Sequence, residues 1–434
     1  MKRNRKYILL FFALVVLVLC FAVQKIVAEQ DTLTYLRQVD GQLESFTRMQ
    51  GDYLTYLADD AGGGQSYIIE TKASGYGGPV TVLTRFSLDG ELMGAVIAEH
   101  CETPLYLNKV LDAGLLETLT GKLPGDSFEV PDEAVDGITG ATMSAQAILT
   151  ASQKASAYVG NQFLSMTIQT DTGPILDAAS IILLILYAVA VIVVWRKFTM
   201  VRPVLLVASV ILLGFYSRAF LSYSNFVSLL TGNFPSFAER PAWHVLVFGI
   251  LAITLISGRN IYCAYLCPFG AVQEGVYRAL HLSQITPDPR LAKAAKTVRW
   301  VVIWLVLALA LLLNQPGIAA YEPFGVFFGG QGSMGQWIIM GLTLVLGIWW
   351  FKLWCKYFCP VGAILDVVAM VKRKLLRRKT GQERPCPNGV GDKCSGQGCA
   401  KKGLAASDKV FLVVLILFNL LIVHTVLSAI LALY

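Results

Sequence analysis

Charge is scarce in this chain. Asp, Glu, Lys and Arg make up 15% of its 434 residues, against about 25% in soluble domains. Apolar residues fill 55%. That balance excludes disorder, which needs low hydrophobicity and high charge, and it speaks against a wholly soluble protein. The formal net charge is +7, yet no nucleic-acid-binding motif accompanies it. Sorted by position, the +7 describes no single surface.

Seven segments are apolar enough to cross a bilayer core of about 30 Å, which takes roughly 20 helical residues. They lie near Tyr7–Val27, Ile175–Trp195, Val204–Leu221, Trp243–Ser257, Val298–Leu313, Trp337–Leu353 and Val410–Tyr434. The polar stretch Glu29–Pro174 holds no spanning candidate and is long enough for one compact domain. Lys and Arg gather in alternate connections: four before Tyr7, three at 196–202, six at 259–299 and thirteen at 352–409. The connection from Asn314 to Gln336 has none. Such an excess marks the cytoplasmic side. The expected arrangement is an N-terminal transmembrane anchor (1–28), an extracytoplasmic domain (29–174) and a polytopic all-α membrane domain (175–434) with six spans. The N-terminus is then cytoplasmic, the C-terminus extracytoplasmic, and 372–409 forms a cytoplasmic loop. The first apolar run also admits cleavage as a signal peptide after Ile26-Val27-Ala28; either way the next domain is exported. That domain carries 20 Asp/Glu against 7 Lys/Arg.

Within it, Glu29–Leu57 reads as an amphipathic helix, because Leu33, Leu36, Val39 and Leu43 recur at helical spacing. Gly62-Gly63-Gly64 follows as a loop. Ser66–Glu70, Val80–Ser87 and Met93–His100 read as strands, with Asp89-Gly90 as a hairpin signal. Helical patterning resumes at Tyr106–Leu119 and Ser144–Phe163. The pattern predicts an α+β domain with a small antiparallel sheet.

One segment there carries chemistry. Asp136-Gly137-Ile138-Thr139-Gly140-Ala141-Thr142-Met143-Ser144 runs a small-residue loop into a helix start. Small residues let a ligand approach the backbone, and the free N–H groups of a first helical turn favour a phosphate. By itself such a loop is most often a helix cap. The stretch resembles the Asp-x-x-(Ser/Thr)-Gly-Ala-Thr motif of the FMN-binding domain of RnfG, NqrC and NosR. Gly75-Tyr76-Gly77-Gly78-Pro79 and His100-Cys101-Glu102-Thr103-Pro104 resemble the same family in order and spacing. The resemblance implies FMN joined covalently to Thr142 through a phosphodiester. A flavin transferase outside the cytoplasm would install it, with Asp136 in its recognition motif. The implied flavin environment includes Thr139, Gly140, Ala141, Gly77, Gly78, His100, Glu102 and Thr103. A covalent link retains FMN outside the cell whatever its affinity, and leaves the protein to supply position and electrostatics.

Seven of the nine cysteines fall at the cytoplasmic ends of spans. Cys263-Ala264-Tyr265-Leu266-Cys267-Pro268 and Cys355-Lys356-Tyr357-Phe358-Cys359-Pro360 are a repeat. Both continue into x-Gly-Ala and reach an acid, Glu274 or Asp366, at matched positions. Spacing i, i+4 puts two sulfurs on one helix face, and two such units side by side bring four thiols together. Four thiolates suit an iron–sulfur cluster such as 4Fe-4S, or zinc; the cytoplasmic side disfavours disulfides. These motifs resemble the membrane part of NosR, NapH and the RdhC (PceC-like) proteins. Cys386, Cys394 and Cys399 sit in a Gly-rich loop that lacks the Cys-x-x-Cys-x-x-Cys ferredoxin run; metal binding and free thiols both remain open for them. His244 and His424 lie in or beside spans, where interhelical hydrogen bonding is the ordinary use.

Together these readings describe a membrane-bound electron-transfer flavoprotein of anaerobic respiration, a redox carrier rather than a substrate-converting enzyme. It would pass electrons between quinol or the cysteine-ligated centre and an extracytoplasmic reductase, of which a reductive dehalogenase is one type. The alternative is a maturation or redox-sensing accessory of such a reductase. With the flavin outside and the thiols inside, about 30 Å of hydrocarbon separates the centres. A quinone, a further cofactor or a flavin domain tucked onto the membrane would have to close that gap.

Overall fold

The computed structural model describes residues 2–28, 43–60, 64–75, 78–102, 104–129, 142–168, 176–280, 285–330, 332–380 and 406–431. Helix α1 (Lys2–Ala28) leads into five strands: β1 (Leu43–Met49), β2 (Leu54–Asp60), β3 (Gln65–Ser74), β4 (Pro79–Ser87) and β5 (Leu92–His100). They pair antiparallel in sequence order. The three strands expected from the alternating pattern are β3 to β5. Gly90, at a φ of +88°, closes the β4–β5 turn by donating its N–H to the Ser87 carbonyl at 3.0 Å. A β-branched residue would be strained there.

The helix expected over Glu29–Leu57 is not what forms from Leu43 onward. Residues 29–42 lie outside the described set, but β1 and β2 occupy 43–49 and 54–60. From Leu43 the sequence changes period. Phe46, Thr47, Thr55 and Tyr56 are β-formers, and pairing with β3 buries Thr55 and Ala58 completely. The helical spacing that ends at Leu43 had been extended too far.

Helix α2 (Pro104–Asp112) follows the sheet, and α3 (Thr142–Phe163) packs across β3 and β4. Ile69, Phe86, Ile148, Leu149 and Val159 form the core between them. The Thr71 hydroxyl donates to the Ala151 carbonyl at 2.8 Å and pins the helix to the sheet.

The second half is helical. Its elements are α4 (Ala178–Arg196), α5 (Arg202–Ser209) continuing as a π-helix over Val210–Tyr216, α6 (Tyr223–Thr231), α7 (Pro241–Ser257) and α8 (Pro268–Leu280). Then come α9 (Pro289–Leu312), α10 (Phe324–Gly329), α11 (Met334–Leu346), α12 (Leu353–Tyr357), α13 (Pro360–Thr380) and α14 (Ala406–Leu431). Ala178–Arg196, Pro289–Leu312 and Ser407–Leu431 are long and apolar enough to cross a membrane, and the chain is a membrane protein. Phe11–Gln24, Arg202–Tyr216, Pro241–Ser257 and Met334–Leu346 are shorter apolar helices at the other four places where the sequence suggests spans. At 1.5 Å per residue, α7 and α11 fall short of the hydrocarbon thickness. Each ends where a cysteine segment begins.

The two halves touch. The Glu239 carboxylate, just before α7, accepts the Ser74 backbone N–H at 2.8 Å and also the Ser74 hydroxyl and the Lys154 ammonium. Gln315, just after α9, donates its side-chain amide to the His100 carbonyl at 2.6 Å.

Candidate redox centres

The flavin-type motifs converge at the edge of the sheet. Gly75 donates its N–H to the Gly78 carbonyl at 2.8 Å, closing a tight turn before β4. A Cβ at Gly75 would stand 2.0 Å from a Glu102 carboxylate oxygen, so only glycine fits. Glu102 is fully buried and accepts a short hydrogen bond from the Ser144 hydroxyl in the first turn of α3. One carboxylate thus joins the glycine turn, the segment after β5 and the start of the helix that Thr142 opens. Gly78, His100 and Glu102 are therefore brought together as the motifs suggest. Gly77, Thr103, Asp136, Thr139, Gly140 and Ala141 lie outside the described residues, and so do Cys386, Cys394 and Cys399.

This edge faces the membrane half. A Cβ at Gly78 would meet the Cys101 Cβ at 2.6 Å and the Asn233 carbonyl at 3.3 Å. The Cys101 thiol lies 3.8 Å from the Asn314 carbonyl, and burial pushes it up to about 12. It stays protonated and acts as packing. Burial pulls the His100 imidazole below its ordinary value, and its hydrogen bond with the Glu102 backbone only partly offsets that. Burial raises the Glu239 carboxyl, but the hydrogen bonds from Lys154 and Ser74 outweigh it and leave it below the usual carboxylate range. An 860 Å³ crevice runs along the contact, lined by His100 and Cys101 on one side and Asn233, Asn314 and Gln315 on the other.

The cysteine repeat also folds as a repeat. Cys263 lies in a π-helical turn, Tyr262–Leu266, and Cys355 in α12. In both units the second cysteine donates its N–H to a carbonyl five residues back: Cys267 to Tyr262 at 2.8 Å, Cys359 to Trp354 at 2.9 Å. In both, a glycine N–H points at the second sulfur, Gly270 to Cys267 and Gly362 to Cys359, each at 3.4 Å. The pair does not share one continuous helix, as bare i, i+4 spacing suggests, because a proline follows each second cysteine and starts a new one. The two units come together: Cys263, Cys267, Cys355 and Cys359 all line a single 270 Å³ cavity.

The matched acids diverge. Asp366 accepts from the Asn260 side chain at 3.1 Å. Glu274 receives both Arg202 guanidinium nitrogens at 2.7 and 2.6 Å, with Arg278 at 2.6 Å and Lys352 at 2.9 Å. Burial raises the Glu274 carboxyl, but the bonds from Arg202 and Lys352 outweigh it and hold it at about 2. Through Lys352 this carboxylate ties the first cysteine unit to the second.

Four thiols around one cavity are the donor set that a 4Fe-4S cluster takes. N–H groups aimed at the sulfurs are the contacts that stabilise such ligands.

Part of the wall comes from an unexpected direction. Leu221 and Phe324 line the cavity, although the sequence puts Leu221 at the outer end of an expected span and Phe324 in the connection from Asn314 to Gln336 on the same outer side. Leu221 donates its N–H to the Tyr262 hydroxyl at 3.0 Å, and the Phe324 and Phe269 rings lie 5.0 Å apart. Only nine residues separate Phe324 from Gln315, which touches the flavin-type domain. Four of them, Pro316–Ala319, form a 3-10 helix rising about 2 Å per residue, so they span less than the roughly 30 Å of an extended chain. His244 and His424 do not pair: His244 Nδ1 lies 3.1 Å from the Arg240 carbonyl, whereas His424 lines a separate cavity.

Residues 75–157 match the FMN-binding domain family, and residues 239–285 with 336–380 match the 4Fe-4S binding domain family. The chain joins an FMN-binding domain to a 4Fe-4S binding domain and is NosR-like. It is 27% identical to the regulatory protein NosR of Pseudomonas aeruginosa over 205 residues, 44% of this chain and 28% of that protein. It is 26% identical to protein NirI of Paracoccus denitrificans over 205 residues, 44% and 30% of the two chains. The putative electron transport protein YccM of Escherichia coli is 26% identical over 164 residues, 35% and 45%. The match to NosR and NirI thus spans less than a third of their length. No solved structure matches.

Proposed function

We propose that this NosR-like chain is a membrane electron carrier linking a quinone pool to an exported respiratory reductase. Covalent FMN on Thr142, installed by a flavin transferase, and a 4Fe-4S cluster on Cys263, Cys267, Cys355 and Cys359 are its centres. When bound, FMN exchanges one or two electrons and the cluster one. The observation that carries this reading is the docking of the FMN-binding domain onto the segment that reaches the cysteine cavity. Gln315 holds His100, and Phe324, nine residues on, lines the cavity. The full bilayer thickness then no longer separates the centres.

The chain's own residues perform the positioning. Glu102 fixes the start of the Thr142 helix against the glycine turn. Glu239 clamps the domain, and the Gly270 and Gly362 N–H groups stabilise the ligand sulfurs. The seven-span arrangement with the FMN-binding domain and Tyr434 outside follows from the Lys/Arg distribution. An exported reporter fused at Tyr434 tests it: activity outside fits, and activity in the cytoplasm contradicts it.

A second reading, redox sensing or maturation of the reductase, is favoured by the similarity to NosR, a regulatory protein. Turnover separates the two. A carrier passes electrons from quinol through the flavin at the rate of respiration, whereas a sensor needs only slow equilibration.

A further inference from the structure

A third cavity, of about 570 Å³, is lined by residues of both halves. Asn108 and Asp112, on α2 of the FMN-binding domain, form one part of its wall. Phe324 forms another and is shared with the cysteine cavity. Deep inside are Tyr321 and Glu322, 1% and 4% exposed. At its edge are Met334, 76% exposed, and His424, also exposed, on the apolar helices α11 and α14.

These features define an occupant. The volume falls in the range of small-molecule sites, about 300–1,000 Å³. Phe220 and Phe324, packed edge to face with ring centroids 6.1 Å apart, give one aromatic wall against which a flat ring can lie. The His424 imidazole stands at the mouth. That mouth opens between two apolar helices, so a long hydrocarbon tail can leave through it into lipid.

We propose that this cavity binds the headgroup of an isoprenoid quinone, its ring against the wall that Phe220 and Phe324 form and its tail leaving past Met334 and His424. The inference rests on the quinone exchange proposed above and assigns it a site.

The test is photolabelling of the full chain in lipid nanodiscs with an azido-quinone bearing an isoprenoid tail, followed by peptide mapping. Label displaced by excess unlabelled quinone is expected on peptides covering 316–336 or 420–431. Ala429→Trp, which fills the cavity from α14, should lose most of that label while keeping its FMN, iron and sulfide. The smaller Ala429→Leu gives a partial loss and guards against misfolding. Displaceable label elsewhere, or label unchanged in Ala429→Trp, overturns this site but leaves quinone exchange standing. Label seen only in FMN-free protein assigns the cavity to the flavin ring and overturns the proposal. Absence of any displaceable label overturns both the site and the exchange.

Discussion

The Gln315 side-chain amide donates to the His100 carbonyl at 2.6 Å. His100 ends the last strand of the FMN-binding domain, and Gln315 starts the segment that descends to the cysteine cavity. This contact, with the Glu239 clamp beside it, holds the two halves together.

Thr142→Ala should abolish covalent flavin and leave the membrane half folded. Flavin fluorescence on the denatured band of a gel reads the bond directly, and monodisperse behaviour in detergent reads the fold. Fluorescence persisting on the mutant band would place the attachment elsewhere.

Anaerobically purified protein should contain iron and acid-labile sulfide, and both should be lost in Cys263→Ser or Cys355→Ser. Each variant removes one ligand from the four that share the cavity. Zinc in place of iron would end the electron-transfer role of these thiols.

Glu239→Gln should loosen the FMN-binding domain. It removes the charge that faces the Lys154 ammonium and leaves that group the Lys72 carbonyl at 3.2 Å, at a cost of about 1–3 kcal/mol. Faster proteolysis between the two halves would report it. In the native chain the Glu239 carboxyl is held below its ordinary value. Its stabilisation is therefore fully present above about pH 4.5 and is lost as pH falls through the lower folded value.

His100 should make the domain sensitive to mild acid. Burial holds its pKa below the ordinary value, so the unfolded chain takes up a proton first as pH falls below about 6.5. Stability is full above that pH and declines as pH falls through the folded value. Thermal melting of the full chain between pH 7 and 5 should show the decline, and His100→Gln should flatten it.

Much of this was legible in the sequence. The alternation in Val80–Ser87, the Asp89-Gly90 turn and the Cys-Pro repeat each carry a local physical signal, and each appears in the structure where that signal lies. The strands at 43–60 were not legible, because a run at helical spacing ended at Leu43 without a marked break. Neither was the downward reach of Leu221 and Phe324. Leu221 reads as the outer end of a span and Phe324 as part of an outer connection, and only tertiary contacts with Tyr262 and Phe269 reveal them. Ser74, Lys154 and Glu239 are ordinary polar residues far apart in sequence, so no local pattern announces the clamp.

The most direct test is an anaerobic titration of the full, FMN- and iron-loaded chain in nanodiscs with a short-chain quinol. Flavin is followed by visible absorbance and the cluster by electron paramagnetic resonance. Both centres should come to one equilibrium with the quinol within the turnover time of a respiratory chain, and disrupting the Gln315–His100 contact with Gln315→Ala should slow the exchange between them. A flavin that quinol cannot reduce while dithionite can, in protein whose cluster is intact, would contradict the carrier role.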